Sequence, residues 1–159
     1  MADITADGFT RVAWITTIAN IAAPTVAELN AGLLLHDVMT VDGFTGFNPD
    51  TAAVSTSKFS GRFDTNRPGR VSYSGTKLRL FKQTATDTAF IALPYGTDGF
   101  LAVRRDLITT TAWTSTQPLE IYPGTTGERV HVDPEPNSYH RWECPLFFNA
   151  QPNLNAVVA

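Results

Sequence analysis

The run Arg11-Val12-Ala13-Trp14-Ile15-Thr16-Thr17-Ile18 is dense in β-branched and aromatic residues and alternates loosely, which predicts a strand over 11–18. That pattern breaks at Pro24. Thr25 and Glu28 follow at capping-box spacing, and Gly32 stands where a left-handed residue would end a helix, so 24–32 predicts a helix of about two turns. Residues 33–39 return to an extended pattern, which Asp42-Gly43 is expected to end with a turn. Residues 71–82 alternate strongly, but the apolar side chains move from odd positions (Val71, Tyr73) to even ones (Leu78, Leu80), with Gly75 at the change. A bulge or bend at Gly75 would keep one face apolar. Residues 86–94 open with the capping residues Thr86 and Asp87, carry Ala89, Phe90 and Leu93 as an apolar stripe and stop at Pro94, which suits a helix of one to two turns. Beyond an expected Asp98-Gly99 turn, strand patterns at 100–104, 119–122, 129–132 and 140–148 are separated by clusters of Gly, Pro, Thr and Asn.

Residues 43–70 behave differently: Gly43, Gly46, Pro49, Gly61, Pro68 and Gly69 punctuate them, and no hydrophobic period is sustained. Loops beyond about 12–15 residues are uncommon inside compact domains and usually bind something or are disordered. The segment therefore reads as a long loop or mobile hairpin serving as an interaction arm, with extended segments near 53–63. No repeat of fixed period occurs, and strands do not alternate with long helices as a parallel sheet would require. The expected architecture is one domain over 1–159, mainly β, a sandwich or barrel with one or two short helices. Arms are expected at 1–10 and 152–159.

Composition agrees with this pattern and adds one point. Hydrophobic residues make up 43% of the chain, enough for a core, while charged residues make up only 17%, little for a surface left wholly to water. Threonine occurs 22 times and supplies polar surface without charge. Cys144 has no second cysteine to pair with, which suits synthesis in a reducing cytosol, and no window approaches the roughly 20 apolar residues of a membrane span. The expectation is a soluble protein. Its net charge of −3 is unevenly spread: −5 over residues 1–57, +6 over 58–105 and −4 over 106–159. Such asymmetry can steer complementary surfaces together, including copies of one subunit meeting head to tail.

Candidate chemistry is sparse. His36, His131 and His140 lie far apart and lack the tight spacings of zinc ligands, and Gly124-Thr125-Thr126-Gly127 reads as a turn without the lysine of a phosphate loop. Cys144 sits among Trp142, Leu146 and Phe147, the setting of a buried inert thiol, and on a strand His140 would stand two pleats away. Asp42, Asp98 and Asp133 stand before Gly or Pro, where aspartate forms turns. No catalytic, cofactor or metal site is expected. The basic set Lys58, Arg62, Arg67 and Arg70 could meet phosphates, but it lacks the interleaved aromatics of a single-strand binder and the overall pI is about 5.5. Docking to an acidic face of a neighbouring copy is the better reading. Trp113 and Tyr139, if exposed, would be the only basis for a carbohydrate-binding surface.

The segment Ala22-Ala23-Pro24-Thr25-Val26-Ala27-Glu28-Leu29-Asn30-Ala31-Gly32, with Arg11-Val12-Ala13-Trp14 before it and residues 33–37 after it, closely resembles one near the N-terminus of major tail tube proteins. These build the long, non-contractile (siphovirus-type) tails of bacteriophages, those of actinobacteria above all. The similarity continues through 64–82, 86–99, 100–106, 119–122, Gly127-Glu128-Arg129 and the last strand, and so covers nearly the whole chain. The resemblance implies a small β-sandwich flanked by a short helix, six copies of which close into a ring whose inner strands form a continuous barrel. Rings would stack into a tube, leaving 43–70 as an inter-ring loop with Lys58, Arg62, Arg67 and Arg70 as contact candidates. Ring closure would also consume sheet edges that otherwise invite uncontrolled pairing. The implied partners are further copies, a tape-measure protein, a tail terminator and tail-tip proteins, with duplex DNA passing through the lumen without specific binding. The implied place is the virion tail, assembled in the host cytoplasm. A head–tail joining or tail-terminating ring protein of similar β-fold is the alternative.

Overall fold

The structure is a computed structural model and describes residues 3–159. Nine strands form one sheet that curls into half a barrel, and the other two form a hairpin standing apart from it. In chain order the elements are β1 (Arg11–Ile15), α1 (Val26–Asn30), β2 (Leu33–Leu34), β3 (Met39–Thr45), β4 (Asp50–Ser55), β5 (Asn66–Ser72) and β6 (Lys77–Phe81). Then come α2 (Thr88–Ala92), β7 (Asp98–Arg104), β8 (Pro118–Thr126), β9 (Val130–His131), β10 (Arg141–Phe148) and β11 (Asn153–Val157). All pairings are antiparallel, in the order β2-β1-β7-β8-β10-β6-β3, with β11 added to β8 and β9 to β10.

β10 joins the two halves of the sheet. Its first residues pair with β6 (Trp142 opposite Leu80, Cys144 opposite Leu78), and its last three pair with β8. Pro145 lies at the crossover, where its missing N–H removes no ladder bond because Leu146 N–H resumes the bonding by donating to Thr76 O at 2.9 Å. Between the halves lies the larger core, with Val12 and Trp14 from β1, Leu101 and Val103 from β7, Leu78 and Leu80 from β6, and Trp142, Cys144 and Leu146 from β10. α2 closes one side of it with Ala89 and its C-cap Leu93.

β1 is buried along its whole length because the sheet is covered on both faces there. Its other side chains, Ala13 and Ile15, join a second core with Leu29 of α1, Trp113, Leu119, Ile121, Ala156 and Val158. A strand buried on both faces reads as a continuous apolar run, which is why 11–15 alternates only loosely.

Several expected boundaries shift. α1 has the capping box expected of Thr25 and Glu28, but its C-cap is right-handed Ala31, and Gly32 does not adopt positive φ. Gly32 is needed for space: a Cβ there would meet Ile15 Cγ1 at 2.6 Å. Asp42-Gly43 and Asp98-Gly99 make no turns and lie inside β3 and at the start of β7, while Gly124 lies within β8. Gly75, with φ of 64°, does provide the bend expected there. Within the C-terminal arm expected at 152–159, β11 runs along β8, and Ala156 and Val158 are buried. Of the expected N-terminal arm 1–10, residues 1 and 2 lie outside the described residues, and Gly8 O accepts from Thr109 N–H at 2.8 Å.

Candidate assembly surfaces

The segment 43–70 supplies the end of β3 and most of a two-stranded antiparallel hairpin, β4 with β5. Its second strand begins at Asn66, beyond the stretch 53–63 where extended structure was expected. The hairpin leaves the body between β3 and β6, anchored by Phe47, whose ring packs edge-on against Phe44 and Tyr122 at 5.2 and 5.1 Å. Tyr73 secures the returning strand against Phe148 at 4.8 Å. Past those anchors every β4 residue is exposed, and so is every β5 residue except half-buried Gly69.

Lys58 and Arg62 sit in the tip, where Gly61 N–H donates to Lys58 O at 2.9 Å, and Thr56 N–H closes the ribbon on Thr65 O at 2.8 Å. Phe59, inside that turn, and Phe63, just past it, are 109% and 81% exposed. Arg67 and Arg70 lie on β5, where the register slips: Thr51 faces Val71 and Ala53 faces Pro68, so β5 carries one extra residue at Gly69-Arg70. A bulge of that kind shifts side-chain parity by one and places Arg67 and Arg70 on the same face of the ribbon. Thr51 and Val71 take the opposite face and line a groove of about 1570 Å³ between the hairpin base and residues 145–155. Among the described residues none of the four hairpin cations forms an ion pair within the chain.

The body's charges are arranged otherwise. On the outer face of β6 and β10, Glu143 accepts from Lys77 Nζ at 2.7 Å and from Arg79 Nε at 2.9 Å, and Arg79 also reaches Asp42 of β3. Burial works against ionised Glu143, but its hydrogen bonds from Lys77 and Arg79 and their charges outweigh that and hold its pKa below the ordinary carboxylate value. Arg141 donates to Glu135 at 2.9 Å. This charge ladder was not among the sequence expectations. Its signal was present in the charged odd positions Lys77, Arg79, Arg141 and Glu143 alternating with buried even ones, but only the register brings the two strands together.

The profile of the family described as phage tail tube protein matches residues 1–159. The chain belongs to that family. It is therefore a structural component of a phage tail, in a family defined by assembly and not by catalysis. Among solved structures the tail tube chain is similar to one in the "Cryo-EM structure of the anti-feeding prophage (AFP) baseplate, 6-fold symmetrised", with a TM-score of 0.62, 7% identity and 98% of each chain covered. At that identity the likeness is one of fold. No curated protein compared with the chain matches it.

The groupings weighed for other chemistry stay dispersed. His131 stacks on Phe90, and His36 Nδ1 lies 3.3 Å from Val12 O. Cys144 is buried, which pushes its thiol pKa up to about 11 despite Arg129. Among the described residues no three His, Cys, Asp or Glu side chains gather as metal ligands, and no helix is long and apolar enough to cross a membrane. Trp113, weighed as an exposed aromatic, is buried beneath Arg11 and Arg104, whereas Tyr139 is exposed.

Proposed function

We propose that the chain is the repeating subunit of a long, non-contractile phage tail of the siphovirus type, similar to those of actinobacterial phages. Six copies close into a ring, and rings stack into a hollow tube that conducts the genome into the host. The observation that carries this reading is the β4–β5 hairpin, which has bare aromatic residues at its tip, four cations with no ion pair among the described residues and no core of its own. An isolated two-stranded hairpin is marginally stable in water, so one this exposed suits a contact completed by another molecule. In the stacked tube Lys58, Arg62, Arg67 and Arg70 meet acidic groups of the adjacent ring. The 6-fold symmetry of the similar baseplate assembly supports six copies per ring. Head-to-tail stacking does not close on itself, so a tape-measure protein sets its length, with terminator and tail-tip proteins at the ends, during assembly in the host cytoplasm. The alternative, a single joining or terminating ring, is disfavoured by a tail tube family match that runs over the whole chain.

Electron microscopy of the purified chain with tail-tip proteins tests this reading. Stacked rings are expected, and reversing the four cations together should abolish stacking while leaving the melting temperature unchanged. Dispersed monomers alone would overturn the tube; single rings that never stack would favour the alternative.

A further inference from the structure

The groove beside the hairpin base is left open by its own chain. Its volume, about 1570 Å³, exceeds the roughly 300–1,000 Å³ of small-molecule pockets, so it suits a segment of polypeptide. Exposed Val71, Phe147 and Leu154 line it. Among the described residues Lys77 is the only charged one in that lining, and Glu143 holds it. The adjoining edge of β11 offers little to a further strand. Asn155 N–H already donates to Asn153 Oδ1 at 2.9 Å, and the N–H groups of Val157 and Ala159 donate to the carbonyls of Ala22 and Pro24 at 3.1 and 2.9 Å. What the groove can take is side chains.

Two exposed acids stand beside its Phe147 wall. Phe147 pairs with Thr125 of β8, and Thr125 with Asp98 of β7, so the three side chains share one face of the sheet. With strands about 4.8 Å apart, Asp98 lies about 10 Å from Phe147. Glu128 follows Gly127, which packs against the Phe147 ring so closely that a Cβ at 127 would meet Phe147 Cε2 at 2.8 Å. Neither acid forms an ion pair among the described residues. The hairpin tip carries the matching set, Phe59 and Phe63 with Lys58 and Arg62. Within one chain the two cannot meet, because the six residues of β4 hold the tip about 20 Å from the hairpin base.

Resting on the tube reading above, we infer that the groove receives the hairpin tip of a second copy, one in the adjacent ring. Phe59 and Phe63 enter between Val71, Phe147 and Leu154, while Lys58 and Arg62 reach Asp98 and Glu128. A few aromatic anchors seated in a pocket carry most of an interface's binding energy, and complementary charge around them fixes the register. Each copy offers one tip and one groove, at opposite ends of the same ribbon. The contact is therefore heterologous and repeats from ring to ring without closing.

Three full-length variants test this, each read beside micrographs. S60C/A150C places one thiol on the tip and one on the groove wall, both exposed, and the native Cys144 is buried. Tubes of this variant treated with a short bismaleimide are expected to give a ladder running past six copies on a denaturing gel. Intact tubes that give no ladder, or one ending at the six copies of a single ring, overturn the docking. F59A/F63A should raise the concentration at which rings stack by at least about 30-fold at unchanged melting temperature, and stacking equal to that of the native chain overturns the aromatic anchors. D98K/E128K should stack poorly, and adding K58E/R62E to the same chain should restore stacking. Native-like stacking of D98K/E128K, or rings of the exchanged chain that form but stay single, overturn the ion pairing. Absence of tubes from the native chain would refute the tube reading itself, which micrographs distinguish from tubes that form without the cross-link.

Discussion

Arg104 lies directly across the β1–β7 ladder from Arg11, and both guanidinium groups stack on Trp113, at 5.1 and 5.0 Å from the ring. Arg104 is fully buried and has no carboxylate partner among the described residues; it donates to Gln117 Oε1 at 2.9 Å and to the carbonyls of Ile108 and Thr111 at 2.9 and 3.0 Å. Arg11 donates to the carbonyls of Thr109 and Thr111 at 2.6 and 2.8 Å. Burial, and then the like charge of Arg11, push the Arg104 pKa down. The pair thus fastens the 105–117 connection, which has no strand or helix of its own, to the sheet.

Replacing Arg104 with Met keeps the bulk and removes the donors. Gln117 Oε1 would then lose its donor, and the carbonyls of Ile108, Thr111 and Ala112 would each keep one of two, from Thr111 N–H, Arg11 and Gln117 Nε2. Hydrogen bonds to a charged group are worth about 1.5–3 kcal/mol each. R104M is expected to lose about 3 kcal/mol, a melting temperature fall of roughly 6–12 °C at this chain length. Thermal unfolding followed by circular dichroism measures it, and a fall under about 2 °C would mean the connection is held by other contacts.

Gly99 carries the Trp14 ring. A Cβ at 99 would stand 2.4 Å from Trp14 Cζ2 and 2.9 Å from Ile15 O, and neither the buried indole nor the backbone can yield cheaply. G99A is expected to destabilise by about 1–3 kcal/mol through overpacking, read as a lower urea midpoint at unchanged slope.

Asp87 caps α2 and is the buried acid with the clearest pH consequence. Burial opposes its charge, but the N–H groups of Gln83 and Phe90, with Lys82, outweigh it and hold its pKa below the ordinary 3.8. A folded pKa below the unfolded one means that the contribution is complete above about pH 4 and is lost as pH falls through the folded value. D87A should cost about 1–2 kcal/mol near neutrality. The melting difference from the native chain should narrow steadily below about pH 4, and a gap that stays constant into strong acid would count against the charged cap.

What the sequence made legible follows from the reach of each signal. Helix caps are local, so Thr25 with Glu28 and Asp87 before Phe90 were readable from spacing alone. Turn chemistry misled where a glycine serves a distant neighbour: Gly99 and Gly32 make room for Trp14 and Ile15, and nothing in Asp98-Gly99 or Asn30-Ala31-Gly32 announces that. The C-terminal residues looked like an arm because Asn153 and Asn155 are poor strand formers, yet β8 offers them an open edge. Trp113 looked available for a ligand because the two arginines that cover it are remote from the tryptophan or separated from it by a connection. For the hairpin, the positions of the cations were readable, but the bulge that brings Arg67 and Arg70 to one face depends on pairing.

The hairpin itself yields the sharpest contrast between the free and the assembled chain. Exposed loop tips are the preferred sites of proteolytic cleavage, because the backbone there can open without disturbing a core. Trypsin cuts after Lys and Arg, and among the four hairpin cations Arg67 is protected by the proline that follows it. In the unassembled chain cleavage should therefore begin at Lys58 and Arg62, in the tip, ahead of sites in the body such as Arg79, which is held by Glu143 and Asp42. The nicked chain should keep its melting temperature, since neither β4 nor β5 contributes to either core. It should also fail to stack. Once rings are stacked, the same two sites should become resistant if the tip is covered by the adjacent ring. Mass spectrometry of timed digests before and after assembly reads this directly, and equal cleavage at Lys58 and Arg62 in both states would remove the hairpin tip from the stacking interface.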